Sequence, residues 1–331
     1  MRSIRSRASR FKPNTAREHN PLSKKTVSRV VSLIASSTEM VCLLGCGERL
    51  VGRSHECDHP EWVRRLPHVT RPKFALDGGS YAIDQRVRTL VEQGVSVYAV
   101  DADALAALRP DVILTQTQCE VCAVSEGDVL AATRTLLPDA RVVSLHPGAL
   151  EDIWRDLMKV AAALGVPDRG AQEVVRLRRR MQAIEERARA FTSRPRVACI
   201  EWIEPLMAAG HWTPELIRMG GGEDALEGRL DRAPHLDLKT LAAADPDVII
   251  VAPCGLSIAR TREDMPVFAA RPGWRDLRAV REGRVFIGEG NAYFNRPGPR
   301  VAETLEIVAE VLHPDGFRFG HQGSGWVRHF E

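Results

Sequence analysis

The stretch Arg29-Val-Val-Ser-Leu-Ile-Ala-Ser-Ser-Thr-Glu39 decides how this chain is read. Val30–Ile34 is an aliphatic, β-branched run with the signature of a buried strand. The small hydroxyl residues Ser36, Ser37 and Thr38 and the early acid Glu39 then predict a helix start. Met40, Val41, Leu43 and Leu44 supply its apolar face, and Gly45 with Gly47 ends it. Working outward, Leu50–Gly52, Val95–Val100, Pro110–Leu114 and Val142–Leu145 read as further strands, with a short helix over Leu105–Leu108. Strands that alternate with helices predict a parallel sheet covered on both faces.

Residues 150–191 change period. Ile153, Trp154, Leu157, Val160, Ala161 and Leu164 recur at helical spacing, as do Val174, Leu177, Met181, Ile184 and Ala188. Gly165-Val166-Pro167 must break or kink that stretch. Beyond it the first pattern restarts. Arg196-Val-Ala-Cys-Ile200 echoes Arg29-Val-Val-Ser-Leu33, and Met219-Gly-Gly-Gly-Glu223 echoes Leu44-Gly-Cys-Gly-Glu48. Pro246-Asp-Val-Ile249 echoes Pro110-Asp-Val-Ile113. Three matches in one order predict two lobes of one topology. The expected plan is α/β: a leader over 1–27, a lobe over 28–148, a connecting backbone helix over 149–193, a second lobe over 194–313 and a tail over 314–331.

At 331 residues, 44% hydrophobic and 27% charged, the chain has the composition of a globular protein of about two domains. Its apolar runs fall short of the roughly 20 residues needed to cross a bilayer, so an integral membrane protein is not expected. The net charge of +3 conceals nine Lys or Arg against one acid in residues 1–29, which leaves residues 30–331 at about −5. That leader reads as a solvated arm, and nothing in the body interleaves basic and aromatic residues as a nucleic-acid groove does. Seven cysteines are too few for a disulfide scaffold and cannot all pair. The first 27 residues hold no apolar h-region, so the expected location is the cytoplasm and the expected state a monomer. The alternative is a lipoprotein cleaved before Cys46, with Leu43-Leu44-Gly45-Cys46 as the signal.

Candidate site residues lie in loops after strands. Ser36–Glu39 reads either as an anion-holding helix N-terminus or as simple capping. Arg53-Ser-His-Glu-Cys-Asp-His59 packs five residues that titrate or ligate, His55 and Glu56 among them. Gln116-Thr-Gln-Cys-Glu-Val-Cys122 carries the only CxxC. His55, Cys57, Cys119 and Cys122 would complete a tetrahedral metal or Fe–S site if the two loops meet; a redox pair and ordinary cleft-lining thiols are the other readings. Trp202, His211, Trp212, Tyr293, Phe294, Asn295 and Arg296 cluster in second-lobe loops of an aromatic-poor chain. Flat apolar faces beside amide and guanidinium groups suit a macrocycle or aromatic heterocycle, unless the rings plug lobe–helix packing. His211 or His55 would be an axial ligand to cobalt or iron.

The strings at 29–39 and 44–52, the two Pro-Asp-Val-Ile units and Ala279-Val-Arg-Glu-Gly-Arg-Val-Phe286 together resemble the iron-siderophore and cobalamin substrate-binding protein family, over roughly residues 28–313. The resemblance implies two Rossmann-like lobes on a stiff backbone helix and a cleft between them. It also implies cobalamin or a related corrinoid as ligand and an ABC permease as partner. Transport-type members are exported, and this chain lacks a recognisable signal, which leaves uptake and intracellular corrinoid handling both open. Two rivals stand beside this reading: a metal- or thiol-dependent enzyme using Cys57, Cys119 and Cys122, and a scaffold acting through the charged helix at Arg178–Arg180.

Overall fold

The computed structural model describes residues 27–330, apart from 94, 118–126, 128, 130–132, 134–135 and 227–232. Its first half carries β1 (Val30–Ser32), β2 (Leu50–Arg53), β3 (Thr70–Pro72), β4 (Tyr98–Val100), β5 (Val112–Gln116) and β6 (Arg141–Leu145). Four of these form a parallel sheet in the order β2-β1-β5-β6. The strand expected over 95–100 is shorter, and it pairs antiparallel with β3 outside that sheet. Val97 and Tyr98 are nonetheless buried, packed in one cluster with Val31, Leu33 and Ile113. Burial against the face of the four-stranded sheet, without pairing in it, explains their apolar character.

The second half carries β7 (Arg196–Trp202), β8 (Met207–Ala208), β9 (Glu223–Asp224), β10 (Val248–Val251), β11 (Val285–Gly288) and β12 (Trp326–Arg328). Its parallel path β9-β7-β10-β11 repeats β2-β1-β5-β6. The echoed residues do the same work in each half. Asp111 accepts from the Ser28 and Arg29 backbone N–H groups at 3.0 and 3.1 Å, and Asp247 from that of Arg196 at 2.8 Å. Arg29 Nε donates to the Leu108 carbonyl and Arg196 Nε to that of Ala244. Each Pro-Asp unit thus pins the start of its lobe's central strand. Met219-Gly-Gly-Gly behaves as the helix end its glycines suggest, with Gly221 at φ +87°.

The segment read as a tail is built into the second sheet: β12 lies antiparallel on β11, and buried Trp326 donates through Nε1 to Glu310 at 2.9 Å. An exposed parallel edge is thereby covered.

The longer helices are α1 (Ala35–Leu43), α2 (Ser80–Glu92), α3 (Leu150–Leu164), α4 (Pro167–Ala188), α5 (Ile258–Ala269) and α6 (Val301–Leu312). The connection is two helices, not one. Gly165 adopts φ +76°, and Pro167 opens α4 where its missing N–H costs nothing. At Gly170 a Cβ would meet the Ala161 Cβ at 2.4 Å, so the helices fold back on each other in close contact. α4, about 33 Å long, reaches the second lobe, where Arg180 bonds Glu303 and Glu306 of α6 at 2.9 and 2.8 Å. One hydrophobic cluster runs from Val30 and Met40 through Leu157, Leu177 and Ile184 to Leu216, Val301 and Leu305. A core shared by both lobes and the connection resists wide opening.

Candidate functional site

In open parallel sheets the carboxyl ends of the strands are where ligands bind. Here the segments beyond β2, β7, β10 and β11 meet along the seam between the lobes. At Gly290 a Cβ would fall 2.0 Å from the Pro253 carbonyl oxygen, so only glycine lets the loops after β10 and β11 come together.

Two sets of contacts cross the seam. In the first, Glu39 of α1 accepts from Arg300 in a two-pronged pair (3.0 and 2.6 Å) and from Arg296 at 3.0 Å. Arg296 also reaches Asp58 at 2.5 Å, and Asn291 donates to Asp58 at 3.2 Å. Glu39 and Arg296 are only 3% and 4% exposed at their side chains, so neither is screened by water. Burial disfavours the Arg296 charge, but Asp58 and Glu39 outweigh it and hold the guanidinium protonated. Burial would also raise the Asp58 carboxyl; Arg296 more than offsets this and holds it below the usual range. In the second set, Asp264 of α5 accepts from the Ser80 backbone N–H at 2.7 Å, capping α2 from the other lobe, and Arg260 donates to the Gly78 carbonyl.

A group of ionisable side chains gathers near these contacts. The His55 ring leans on Tyr98, its Nδ1 2.7 Å from Thr70 Oγ1, and its Nε2 is enclosed with no hydrogen bond among the described residues. Desolvation, then the charges of His68 and Arg53, push its pKa down to about 4. Glu56 keeps 42% of its side-chain surface, yet crowding between the lobes raises its pKa. Glu201, at the end of β7, is pushed up to about 7 by burial, against one backbone N–H from Gly210. The Cys254 thiol is raised by burial and then by Glu201 and Glu56. Tyr98 is raised by burial and then by Glu56 and Cys254. Residues of both lobes therefore feel one another's charge.

Several predicted site residues turn out to be structural. Ser36–Glu39 lie in the first turns of α1, whose N-cap is Ile34, so none of them caps the helix. Ser37 bonds Ser32 at 2.6 Å and Thr38 bonds Ser32 at 2.8 Å. Ser36 is covered by Gly298, and Glu39 is the seam's ionic anchor. Trp212 and Phe294 are core residues, 5% and 2% exposed, joined by Trp212 Nε1 donating to the Phe294 carbonyl at 3.1 Å. Asn295 donates to the Ala252 carbonyl at 2.8 Å. Tyr293 lies under Arg300, and His211 stacks on Trp212. Half-buried Trp202 donates to the Glu204 carbonyl. A stretch after a strand need not face the ligand when the next helix packs over it.

Cys57, the one expected thiol ligand among the described residues, is buried. It is 1% exposed, its Sγ 3.0 Å from Thr38 Oγ1, and burial holds the thiol protonated with a pKa of about 11. Cys119 and Cys122 lie outside the described residues. Among the described residues no group of three His, Cys, Asp or Glu is placed to hold a metal ion, and no helix is long and apolar enough to cross a membrane. Glu201, Cys254 and Asn291 lie in stretches after predicted strands without having been singled out, and Tyr98 reads only as part of a strand. Glu201 gave the clearest signal, an acid directly after an otherwise apolar strand run.

Comparison with known proteins adds to this geometry. A family profile described as "Periplasmic binding protein" matches residues 30–292. The chain is 20% identical over 305 residues to an uncharacterized ABC transporter substrate-binding lipoprotein of Bacillus subtilis, covering 89% of this chain and 83% of that one. It is 25% identical over 238 residues to the vitamin B12-binding protein of Yersinia pestis, covering 70% and 71%. Among solved structures, a periplasmic heme-binding protein from Pseudomonas aeruginosa superposes with a TM-score of 0.66 at 21% identity, over 88% of this chain and 94% of that one. The periplasmic vitamin B12-binding protein of Vibrio cholerae gives 0.62 at 18%, over 87% and 97%. At those identities the structural likeness speaks for the fold alone.

Proposed function

This chain belongs to the periplasmic binding protein family, and on that premise we propose that it binds a planar metal-chelate macrocycle, a corrinoid first and a porphyrin second, between its lobes. Delivery to an ABC-type permease, or handing of a corrinoid within the cell, is the role that binding serves. Support comes from the seam itself: two lobes of one topology turn their strand ends toward one another, with His55, Glu56 and Tyr98 on one side and Glu201 and Cys254 on the other. The names of the relatives, which specify vitamin B12 and heme, point to the same ligand class.

His55 is the residue suited to touch the chelate's metal. Thr70 Oγ1 accepts from the His55 backbone N–H and donates to Ser54 Oγ at 3.2 Å. Its remaining acceptor capacity favours a proton on His55 Nδ1, which leaves the Nε2 lone pair free. The low pKa keeps the ring neutral at pH 7, the state that ligates. Glu56, 3.8 Å away, has to swing aside for a guest to reach it. The thiol-enzyme reading loses support at Cys57, because a buried, protonated thiol is a poor nucleophile.

Cytoplasmic residence remains our reading of the leader. Cleavage before Cys46 would remove β1, an inner strand of the first sheet, together with α1 and Glu39. The test is to titrate the purified full chain with cobalamin, cobinamide and hemin, following absorbance and thermal unfolding. A 100-fold excess over Kd should add about 2.7 kcal/mol of stability, and His55→Ala should shift the visible band of the bound chelate. No response to any of the three overturns the proposal.

A further inference from the structure

The contact between α2 and α5 is built differently from the rest of the seam. The N-cap residue of α2 is Gly79, which has no side chain to offer, and the Ser80 backbone N–H goes instead to Asp264 Oδ2 of the other lobe at 2.7 Å. A carboxylate there also meets the positive end of the helix dipole. The fit is close: a Cβ at Gly79 would lie 2.8 Å from Asp264 Oδ1. Ser80 and Asp264 are both buried. Arg260, one turn before Asp264 on α5, adds its bond to the Gly78 carbonyl.

The first lobe, by contrast, grips α2 lightly. Of the helix's thirteen residues only Ser80 and Ile83 are buried, and Ser80 is the one that meets Asp264. Val87 adds a partly buried contact with the cluster of Val31 and Leu33. The helices of the frame are held far more firmly, α1 by seven buried residues of nine and α6 by eleven of twelve. Arg86 folds the preceding loop back onto α2 through the Ala75 and Asp77 carbonyls at 2.7 and 2.6 Å, so residues 75–92 form a unit closed on itself. Elements with little buried apolar surface are the ones that open locally at low cost.

This unit is mounted beside the candidate site. α2 lies between β3 and β4, the strands whose Thr70 and Tyr98 hold the His55 ring. α5 follows the loop that carries Cys254. The contact therefore ties the His55 side of the seam to the Cys254 side. The ionic set has another place: Glu39 and Arg300 line one cavity with Leu177 and Arg180 of the connecting helix. Among the described residues, the apolar core shared by the lobes includes none from α2 or α5. Release of α2 from α5 thus breaks neither the ionic set nor that core.

We infer that α2 is a strap across the entrance to the seam, caught by Asp264, which releases to admit a guest and re-forms behind it. The inference rests on the proposed macrocycle site and adds how access to that site is controlled.

Stopped-flow absorbance, with cobinamide and hemin mixed separately with the full chain, tests it in the wild type, Asp264→Ala and Gly79→Ala. The first variant removes the catch, and the second wedges a methyl group against it. Both should raise the association and dissociation rates together, each roughly tenfold for a catch of about 1.4 kcal/mol, with Kd changed by less than about threefold. Without any guest, the Ser80 backbone N–H should exchange with deuterium faster in both variants, while the amides of α1 keep their wild-type rates. Rates unchanged in both variants, or a rise confined to one of the two rates, overturn the inference and leave the macrocycle site standing. Ser80 exchange no faster than in the wild type also overturns it. The variants lie on opposite lobes, so either one decides the matter if the other fails to fold. Binding of neither chelate by the wild type removes the proposed function, and the inference with it.

Discussion

The two lobes share a frame and differ where they touch. In each, a Pro-Asp unit pins the central strand, and an arginine at the head of that strand reaches back to a helix-end carbonyl. At the main ionic contact the first lobe supplies the acids Glu39 and Asp58, and the second supplies Arg296 and Arg300. At the α2–α5 contact the second lobe supplies the acid Asp264, and the first answers with backbone groups. Duplicated topology therefore explains how each lobe folds, while unlike charges explain how the pair is oriented. The same division runs through the candidate site, where Glu201 matches Ile34 in the repeat counted from Arg196 and Arg29.

The sharpest way to break that picture is at Glu39. Glu39→Ala strips Arg300 of its carboxylate and leaves buried Arg296 with Asp58 as its one acid beside Asn291. It should cost about 3–5 kcal/mol, read as a lower midpoint in urea unfolding. A loss under about 1 kcal/mol would show that the two lobes are held by the shared apolar core alone.

Glu201 tests the asymmetry in the opposite direction. Its folded pKa of about 7 lies above the ordinary 4.5, so the folded state favours the protonated form. Below pH 4.5 the group has no effect. Stability is lost as pH rises from 4.5 to 7, and the penalty is full above 7. Glu201→Gln should therefore stabilise the protein by up to about 3 kcal/mol at pH 8 and by almost nothing at pH 4. An equal effect at both pH values, followed by thermal melting, would contradict the assigned burial.

The smallest expected effect probes what the lobes share. Asp111→Ala and Asp247→Ala each remove the pin on a central strand and should cost about 1–3 kcal/mol. Asp247 should cost the more, because it also binds Arg278. Equal losses in paired denaturation curves would show that the Arg278 contact adds nothing.

Much of the fold was legible because its signals are local. The β-branched runs, the Pro-Asp units and the break at Gly165–Pro167 each act over a few residues, and their order exposed the repeat. The edge strand at 326–328 was not legible, since three residues carry no periodicity and their pairing is set by a partner some forty residues away. The antiparallel pairing of Tyr98–Val100 with Thr70–Pro72 was hidden for the same reason. The loop at 55–59 stood out by its density of ionisable groups, and its Asp58 meets Arg296 across the seam. Trp212 and Phe294 misled because an aromatic ring after a strand looks alike whether it faces a ligand or a core.

By itself the sequence determined two α/β lobes in tandem and the helical connection between them, because backbone preference and burial periodicity are written residue by residue. Only the tertiary structure decided which side chains look into the seam. Glu39 became an anchor and not a helix cap, and Cys57 a buried thiol that accepts from Thr38. Facing depends on which distant element covers each position, and that is fixed by packing among parts of the chain more than a hundred residues apart.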